Sequence, residues 1–323
     1  MQRVHAKDLT QFPRMSRPPL SRRTRAGRVA LVGRANVGKS TLFNAIVGES
    51  LAITSAHPQT TRQIVRGVLT RDDAQFVLMD TPGLHPAKSK LGLRMNEAAR
   101  AAARGADATV LLVEAPVDGR ADARLEADIA AVGDLVGPST VVAITKIDRL
   151  ADKSRLLPMS SAVEQRLGTQ RIVPVSARKS DGIARLLGEV RLLLPSQPFL
   201  FDEDTLTDQP ARFFVAELVR EQMLKHLRQE IPHGVAVVVD RFEESGKVTR
   251  IDVTVHVLRE AHKKIVIGSG GSMMKAIGSA ARGRIEALLS QRVHLRLWVR
   301  ATPGWMEDEA MLRALGYARA EGS

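Results

Sequence analysis

Short apolar segments alternate with longer amphipathic stretches through the first part of the chain. Apolar runs bounded by polar residues are typical of buried strands, whereas apolar positions that recur every three or four residues are typical of helices. Their alternation predicts a mostly parallel sheet that is covered by helices on both faces. Strands are predicted at residues 29–32, 64–70, 76–79, 109–114, 141–145 and 172–176, and helices at 41–47, 91–104, 121–136, 154–167 and 183–194.

The pattern changes after residue 195. A Pro-rich stretch and an acidic run, Asp202-Glu203-Asp204, end at Pro210, which is typical of an interdomain linker over residues 196–211. The following order of elements predicts a small α+β domain over residues 212–310 and a tail over 311–323. Its helices are predicted at residues 213–229 and 273–289, and its strands at 235–242, 248–259, 265–267 and 293–300.

Charge is distributed unevenly over the 323 residues, whose net charge is +13. Residues 1–27 have seven Lys or Arg and one acid, with no apolar period, so we expect a disordered basic tail. A transit peptide and an extended translation start are alternative interpretations. Residues 28–211 are nearly neutral and residues 212–323 are basic again, which favours a polyanionic partner, either nucleic acid or anionic lipid.

The chain has no cysteine, which excludes disulfides, thiolate metal sites and cysteine nucleophiles, and suits a cytosolic protein. No apolar run approaches the ~20 residues that span a bilayer.

The segment from Gly33 to Ser40 matches the phosphate-loop pattern, with two glycines five positions apart followed by Lys and a hydroxyl residue. A predicted strand precedes it and a predicted helix follows it. Backbone N–H groups and the helix N-terminus can then hold phosphate oxygens, while Lys39 reaches the phosphates and Ser40 binds Mg²⁺. The predicted nucleotide contacts here are Gly33, Arg34, Ala35, Asn36, Val37, Gly38, Lys39, Ser40 and Thr41.

Two further segments indicate a sensor of the terminal phosphate. Asp80-Thr81-Pro82-Gly83 follows a predicted strand, so Asp80 can hold Mg²⁺ and the Gly83 N–H can contact the γ-phosphate. Between the two motifs, Gln59-Thr60-Thr61-Arg62 offers a threonine that closes over the nucleotide. We favour Thr61 as the Mg²⁺ ligand and keep Thr60 as the alternative.

Guanine selection is predicted at two strand ends. In Thr145-Lys146-Ile147-Asp148, a carboxylate can accept hydrogen bonds from guanine N1–H and the 2-amino group, a donor pair that adenine lacks. Lys146 is expected over the base or against the phosphate loop. The Ser176-Ala177 dipeptide can offer a backbone N–H to the guanine oxygen.

The second domain centres on Ile267-Gly268-Ser269-Gly270-Gly271, a G-x-x-G turn followed by a predicted helix. Such a turn lets RNA phosphates approach the backbone. The basic residues expected to contact phosphate are Lys263, Lys264, Lys275, Arg282 and Arg284. Because aromatic residues make up only 3% of the chain, stacking is not expected to dominate, and Trp298 and Trp305 are interpreted as packing residues.

In this order and spacing, the motifs resemble those of the Era family of bacterial ribosome-assembly GTPases, from Arg28 to the C-terminal end. The resemblance implies a P-loop GTPase domain over residues 28–195 and a type II KH domain after it. It also implies Lys39, Thr61 and Gly83 as catalytic residues. Family members share a hydrophobic residue, here Leu84, where many GTPases have a water-orienting Gln, which implies slow hydrolysis. Asn36 resembles an asparagine that helps bind K⁺, although it also fits as a turn residue.

The resemblance further implies a switch that binds GTP or GDP with Mg²⁺ and contacts the 3′ end of 16S ribosomal RNA during 30S subunit assembly. We expect a monomeric cytoplasmic protein, with peripheral association at the cell membrane as a family property. One rival hypothesis is a passive RNA-binding scaffold that holds nucleotide without turnover. Another is an RNA-modification GTPase, which would need a partner enzyme.

Overall fold

The computed structural model describes residues 24–55, 60–115, 121–227 and 231–317. They form two compact units, one extending to Asp208 apart from Ser89–Leu91, and the other beginning at Gln209. The first unit is a six-stranded sheet in the order β2-β3-β1-β4-β5-β6, in which β2 is antiparallel to β3 and the other pairs are parallel. Its strands are β1 (Arg25–Gly33), β2 (Val65–Arg71), β3 (Ala74–Asp80), β4 (Ala108–Glu114), β5 (Thr140–Thr145) and β6 (Ile172–Pro174).

Helices cover this sheet at α1 (Lys39–Val47), α2 (Lys90–Arg104), α3 (Ala121–Val132), α4 (Leu156–Leu167) and α5 (Ile183–Leu193). Every residue of β3 and β4 is buried, as expected for strands with helices on both faces. The predicted α/β fold is therefore confirmed. The helix predicted over residues 121–136 ends at Val132 and continues as a 3-10 turn, Gly133–Leu135, since Gly133 weakens the helix.

The first strand begins inside the segment that was predicted to be a disordered tail. Arg25 pairs with Ala74 in the β1–β3 ladder, and the Arg25 N–H donates to the carbonyl of Asp73 at 2.8 Å. Residues 25–27 thus belong to the sheet. The rest of the predicted tail, apart from Thr24, lies outside the described residues.

Most of the predicted linker is bound to the first unit. We call residues 196–208 the edge segment, because they lie along the sheet, first at the start of β1 and then against β2 and β3. The Gln75 side chain is completely buried, and its oxygen accepts the N–H groups of Leu200 and Phe201 at 2.7 and 3.0 Å. The Val68 N–H donates to the Leu206 carbonyl at 2.8 Å. A buried amide needs such partners, and the edge segment supplies them.

The second unit contains α6 (Ala211–His226), β7 (Ala236–Ser245), β8 (Val248–Val257), α7 (Glu260–Ile267), α8 (Ser272–Leu289), β9 (Arg292–Ala301) and α9 (Glu309–Ala314). The sheet order is β7-β8-β9, with β7 antiparallel and β9 parallel to β8. The strand predicted at residues 265–267 is wrong, because those residues end α7. The apolar run is the last turn of an amphipathic helix, in which Val266 is buried and Ile265 is exposed.

The C-terminal end packs further than predicted. Asp308 caps α9, and Leu312 of that helix is completely buried. Trp305 is also completely buried, donates to the Gly234 carbonyl at 3.1 Å and stacks on Tyr317. The second unit therefore continues through Tyr317, beyond the predicted boundary at residue 310. Trp305 is a packing residue as predicted, whereas that interpretation is wrong for Trp298, which is 46% exposed.

Candidate functional site

The phosphate loop connects β1 to α1 and turns through two left-handed residues, Asn36 (φ 65°) and Gly38 (φ 109°). At the start of the loop, a Cβ on Gly33 would lie 2.8 Å from the Leu112 carbonyl oxygen, so only glycine fits. The Lys39 side chain folds back beneath the loop, and its ammonium donates to the carbonyls of Gly33 at 3.0 Å and Arg34 at 2.9 Å. The loop is thus held in a turned conformation.

The Lys39 ammonium is buried, and this burial lowers its pKa from 10.5 to about 8, against the opposing effect of the Asp80 and Asp128 carboxylates. An anionic ligand at the loop would favour the charged form of this amine and raise its pKa. Asp128 itself lies on α3, where it accepts from the Arg34 guanidinium at 3.1 Å and from the Glu114 N–H at 2.9 Å. Burial raises the pKa of Asp128.

Three side-chain oxygens converge beside Lys39. The Ser40 hydroxyl donates to Asp80 Oδ2 at 2.6 Å, and the Thr61 hydroxyl donates to the same oxygen at 3.1 Å. Ser40 Oγ and Thr61 Oγ1 are 2.9 Å apart. We call these three residues the oxygen cluster. Hydroxyl and carboxylate oxygens are the ligands that Mg²⁺ prefers, so the cluster fits this ion.

The two candidate threonines differ in what their side chains contact. Thr60 and Thr61 are both buried and both line the cleft, but the hydroxyl that meets Ser40 and Asp80 is that of Thr61. Gln59, which precedes them, lies outside the described residues.

The segment after Asp80 is tied to the phosphate loop. Thr81 donates its hydroxyl to the Leu31 carbonyl at 2.7 Å, and the Leu84 N–H donates to the Gly33 carbonyl at 3.0 Å. A Cβ on Gly83 would lie 2.6 Å from Ala35 Cα, which is backbone, so this close approach requires glycine. Leu84 is buried and has no group that could orient a water molecule.

The base side of the cleft is formed at the ends of β5 and β6. The Thr145 hydroxyl donates to the Val37 carbonyl at 2.7 Å, which ties β5 to the phosphate loop. Lys146 likewise donates to the Asn36 carbonyl at 2.6 Å and pairs with Glu114 at 2.7 Å.

Asp148 is exposed, and its Oδ1 accepts a hydrogen bond from the Ser176 hydroxyl at 2.7 Å. This hydrogen bond holds the pKa of Asp148 below its usual value. The carboxylate is therefore ionised at neutral pH and can accept from paired N–H donors.

These elements surround a single cleft of about 540 Å³. Of the predicted nucleotide contacts, thirteen line it: Ala35, Asn36, Gly38, Lys39, Ser40, Thr41, Thr60, Thr61, Gly83, Thr145, Lys146, Asp148 and Ala177. The others, Gly33, Arg34, Val37, Asp80, Thr81, Pro82 and Ser176, lie outside its lining and shape or support it. Arg34 instead points to Asp128.

Sequence reasoning missed several groups at this site. Glu114 lies at the carboxyl end of β4 and binds Lys146, and Arg149 and Arg178 line the cleft. The position of Glu114 at the end of a predicted strand, at the same sheet edge as Thr145, was a usable signal. Asp128 had no such signal, because it lies inside a helix.

The second unit has a groove of about 610 Å³ beside the G-x-x-G turn. Gly268, Gly270 and Gly271 all have positive φ, and a Cβ on Gly268 would lie 2.7 Å from Met273 Cβ. The lining of the groove includes the predicted residues Ile267, Gly271, Lys275 and Arg282. The structure does not place Gly268, Ser269, Gly270, Lys263, Lys264 or Arg284 in that lining. Lys263 lies 4.0 Å from Glu260, and Arg284 pairs with Glu221 at 3.3 Å.

Two other kinds of feature are absent from the described ranges. No group of three or more His, Cys, Asp or Glu is placed to hold a metal ion. No described helix is both long and apolar enough to cross a membrane.

The sheet topology, the phosphate loop and the guanine-side residues define a P-loop GTPase, and the second unit has the fold of a KH domain. Family models agree: that of the 50S ribosome-binding GTPases matches residues 28–146, and that of the KH domain matches residues 230–306. The chain is 44% identical to GTPase Era of Xanthomonas oryzae pv. oryzae, over 91% of this chain and 97% of the relative. It is also 44% identical to GTPase Era of Stenotrophomonas maltophilia, over 90% and 97%. The chain belongs to the Era GTPase family.

Two solved structures match most of the chain, including both of its units. One is an Era variant from Aquifex aeolicus bound to GDP and AlF4⁻, at 33% identity and a TM-score of 0.83, covering 91% of this chain and 100% of that one. The other is Era in complex with Mg-GDPNP and nucleotides 1506–1542 of 16S ribosomal RNA, at 33% identity and a TM-score of 0.83, covering 91% and 99%. The chain is accordingly a GTPase, and relatives of the same fold bind guanine nucleotides with Mg²⁺.

Proposed function

We propose that this GTPase is a nucleotide-driven switch that binds the 3′ end of 16S ribosomal RNA through its KH groove during assembly of the 30S subunit. The observation that carries the nucleotide part is the oxygen cluster of Ser40, Thr61 and Asp80 beside the buried ammonium of Lys39. The complex of Era with 16S RNA nucleotides supports the RNA part.

The residues of the cluster would hold Mg²⁺ through the Ser40 and Thr61 hydroxyls and the Asp80 carboxylate. When bound, the ion supplies positive charge next to the phosphates. Lys39 contacts the phosphates with its ammonium, and the Gly83 N–H contacts the γ-phosphate. Thr61 and Gly83 lie in the two segments whose positions depend on that phosphate, so both segments would report its loss on hydrolysis.

Guanine is selected by Asp148, whose ionised carboxylate accepts from N1–H and the 2-amino group. The Ser176 hydroxyl fixes the orientation of this carboxylate. The Thr145 hydroxyl and the Lys146 ammonium hold the phosphate loop in register with the base-binding strand ends, through the carbonyls of Val37 and Asn36.

Slow hydrolysis follows from Leu84, because a buried alkyl side chain cannot orient the attacking water. We propose that K⁺ bound near Asn36 supplies part of the missing positive charge. Support for this comes from the left-handed conformation of Asn36, which turns the loop at that residue. Comparison of GTP turnover in K⁺ and in Na⁺ tests this role of Asn36.

The RNA contacts are proposed along the groove beside Gly271, where Ile267 offers an apolar wall and Lys275 offers positive charge. Within the RNA-binding turn, Gly268, Ser269 and Gly270 provide backbone that a phosphate can approach closely. Lys263 and Lys264, on the preceding helix, would contribute charge from beside the groove.

The cellular setting is also a proposal. We place the protein in the cytoplasm as a monomer that associates with the 30S subunit. Peripheral binding to the membrane surface is supported by the basic charge of residues 1–27 and 212–323, which would attract anionic lipid.

A phosphate-release assay in K⁺ or Na⁺, with and without 16S 3′-end RNA, tests the switch. We expect slow GTP turnover that is faster in K⁺, and RNA affinity that differs between the GTP-analogue and GDP states. Absence of turnover under every condition would instead favour a passive scaffold. Equal rates in K⁺ and Na⁺ would remove Asn36 from the metal ligands.

A further inference from the structure

The outer side of β9 has an unusual composition. Five alternate residues of this strand are exposed: Arg292, His294, Arg296, Trp298 and Arg300. We call them the β9 ladder. Successive side chains of a strand point to opposite faces, so the five lie in one row, about 7 Å apart. None of them is acidic, and β9 is the last strand of its sheet in the described part of the chain.

The aromatic residue of the ladder is not explained by packing. Trp298 is 46% exposed, whereas Trp305 in the same unit is completely buried. What distinguishes Trp298 from an ordinary exposed apolar side chain is that its ring lies in a row of cations, where it offers a base a surface for stacking. The Arg296 guanidinium carbon lies 5.2 Å from the centre of the Trp298 ring, so a cation and an aromatic surface are presented together.

The charge of the ladder is only partly neutralised. Arg296 makes two hydrogen bonds to Asp252, each of 2.8 Å. In contrast, Arg292 and Arg300 have no acidic side chain within ion-pair distance among the residues that the structure describes. Arg250 on β8 is also exposed and lies opposite His294, so it adds a further cation beside the ladder. A row of cations that contains one exposed aromatic ring is the arrangement that binds single-stranded nucleic acid, with phosphates on the cations and a base on the ring.

The ladder adjoins the groove beside the G-x-x-G turn. The groove is lined by Leu295, Leu297 and Val299, which alternate with the ladder, and also by Trp298 of the ladder itself. A strand of RNA that leaves the groove can therefore cross the edge of the sheet and reach the ladder without leaving the protein surface. On the groove side, Lys275 and Arg282 of α8 continue the same positive charge.

We propose that the β9 ladder is a second RNA-binding surface, which binds the single-stranded RNA that extends beyond the groove and stacks one base on Trp298. The proposal rests on the proposed RNA function of the groove. It differs from that function because a KH groove clamps about four nucleotides, whereas the ladder acts only on longer RNA.

The test compares two single-stranded RNAs from the 16S 3′ end, of about four and about ten nucleotides, binding to the full chain with GTP analogue. We expect Trp298→Ala to weaken binding of the longer RNA about tenfold, from the loss of one stacked base, and to leave the shorter one unchanged. Trp298→Phe, which retains a ring, should restore most of the affinity. Arg292→Ala and Arg300→Ala should each make the binding of the longer RNA less dependent on salt concentration. Arg313→Ala, on α9 outside the ladder, is the matched control.

Intrinsic fluorescence gives an independent measurement, since Trp298 and Trp305 are the only two tryptophans and only Trp298 is exposed. The longer RNA should quench the emission of the native chain more than that of Trp298→Ala.

Equal weakening of both RNAs by Trp298→Ala would assign Trp298 to the groove and overturn the proposal. Unchanged binding of both RNAs to Trp298→Ala would also overturn it. Loss of self-association in sedimentation of Trp298→Ala, compared with the native chain, would overturn it in favour of a protein partner on β9. If the native chain binds neither RNA, the proposed RNA function of the groove fails as well, which distinguishes that failure from failure of the ladder alone.

Discussion

Replacing Gln75 with Leu should loosen the edge segment from the sheet around Leu200 and Phe201. The native amide makes four hydrogen bonds: it donates to the Thr70 hydroxyl and the Phe201 carbonyl, both at 2.9 Å, and accepts the Leu200 and Phe201 N–H groups. Leucine has a similar volume and removes all four. Three of them hold the edge segment, and a typical intramolecular hydrogen bond contributes about 1 kcal/mol.

The local opening of the edge segment should therefore become about 3 kcal/mol easier, which is about a hundredfold in the opening equilibrium. The groups that lose their partners can reach water once the segment detaches. We thus expect local opening rather than unfolding of the first unit.

Hydrogen–deuterium exchange with detection by mass spectrometry measures this directly over peptides that span residues 196–208. Exchange in these peptides should become faster in Gln75→Leu, while peptides from β4 and β5 should keep their protection. Gln165→Leu, at an exposed position of α4, is the matched control and should leave the edge segment unchanged. Exchange over residues 196–208 equal to that of the native chain would refute the reasoning, and equal acceleration throughout the first unit would refute its local character.

Four further outcomes are expected. Thr61→Ala removes one of the three oxygens of the cluster and should weaken Mg²⁺-dependent GTP binding more than Mg²⁺-free binding, as titration calorimetry would measure; equal loss in both would exclude it as a ligand. Asp148→Asn should loosen guanine binding and admit xanthine nucleotides, and an unchanged base preference in competition assays would remove the residue from the site. Gly271→Asp forces a β-substituted residue to φ 80° and should weaken RNA binding in gel shifts while GTP affinity is kept, whereas loss of both would indicate misfolding. Because burial lowers the pKa of Lys39 to about 8, the unfolded chain holds more protons between pH 8 and 10.5, so this group makes the nucleotide-free protein more stable as pH rises through that window. Nucleotide affinity should fall over the same window, and calorimetry in buffers of different ionisation enthalpy should show proton uptake on binding; its absence would contradict the pKa assignment.

Local patterns predicted the first unit well because its strands are buried on both faces and therefore read as continuous apolar runs. The motifs at the strand ends could also be placed together, because parallel strands bring their carboxyl ends to one edge of the sheet. The proximity of Ser40, Thr61 and Asp80 followed from that placement. Their hydrogen-bond lengths did not, because they depend on side-chain rotamers.

The missed features depend on contacts between residues far apart in the chain. The edge segment looked like a linker because its composition is polar and Pro-rich, and only the buried Gln75 reveals its binding site. The run Ile265–Ile267 was too short for its apolar residues to distinguish the last turn of a helix from a strand. The exposure of Trp298 did have a local signal, because in the predicted strand Trp298 alternates with apolar residues and shares its face with His294, Arg296 and Arg300. The burial of Trp305, outside any predicted element, had none.

The stacking of Tyr317 on Trp305 has a practical consequence. Tyr317 is the only tyrosine in the chain, and its ring centre lies 5.9 Å from that of Trp305. The ultraviolet absorbance of this single phenol therefore reports on one location. It offers a spectroscopic check, without any label, that recombinant material has Tyr317 docked on Trp305.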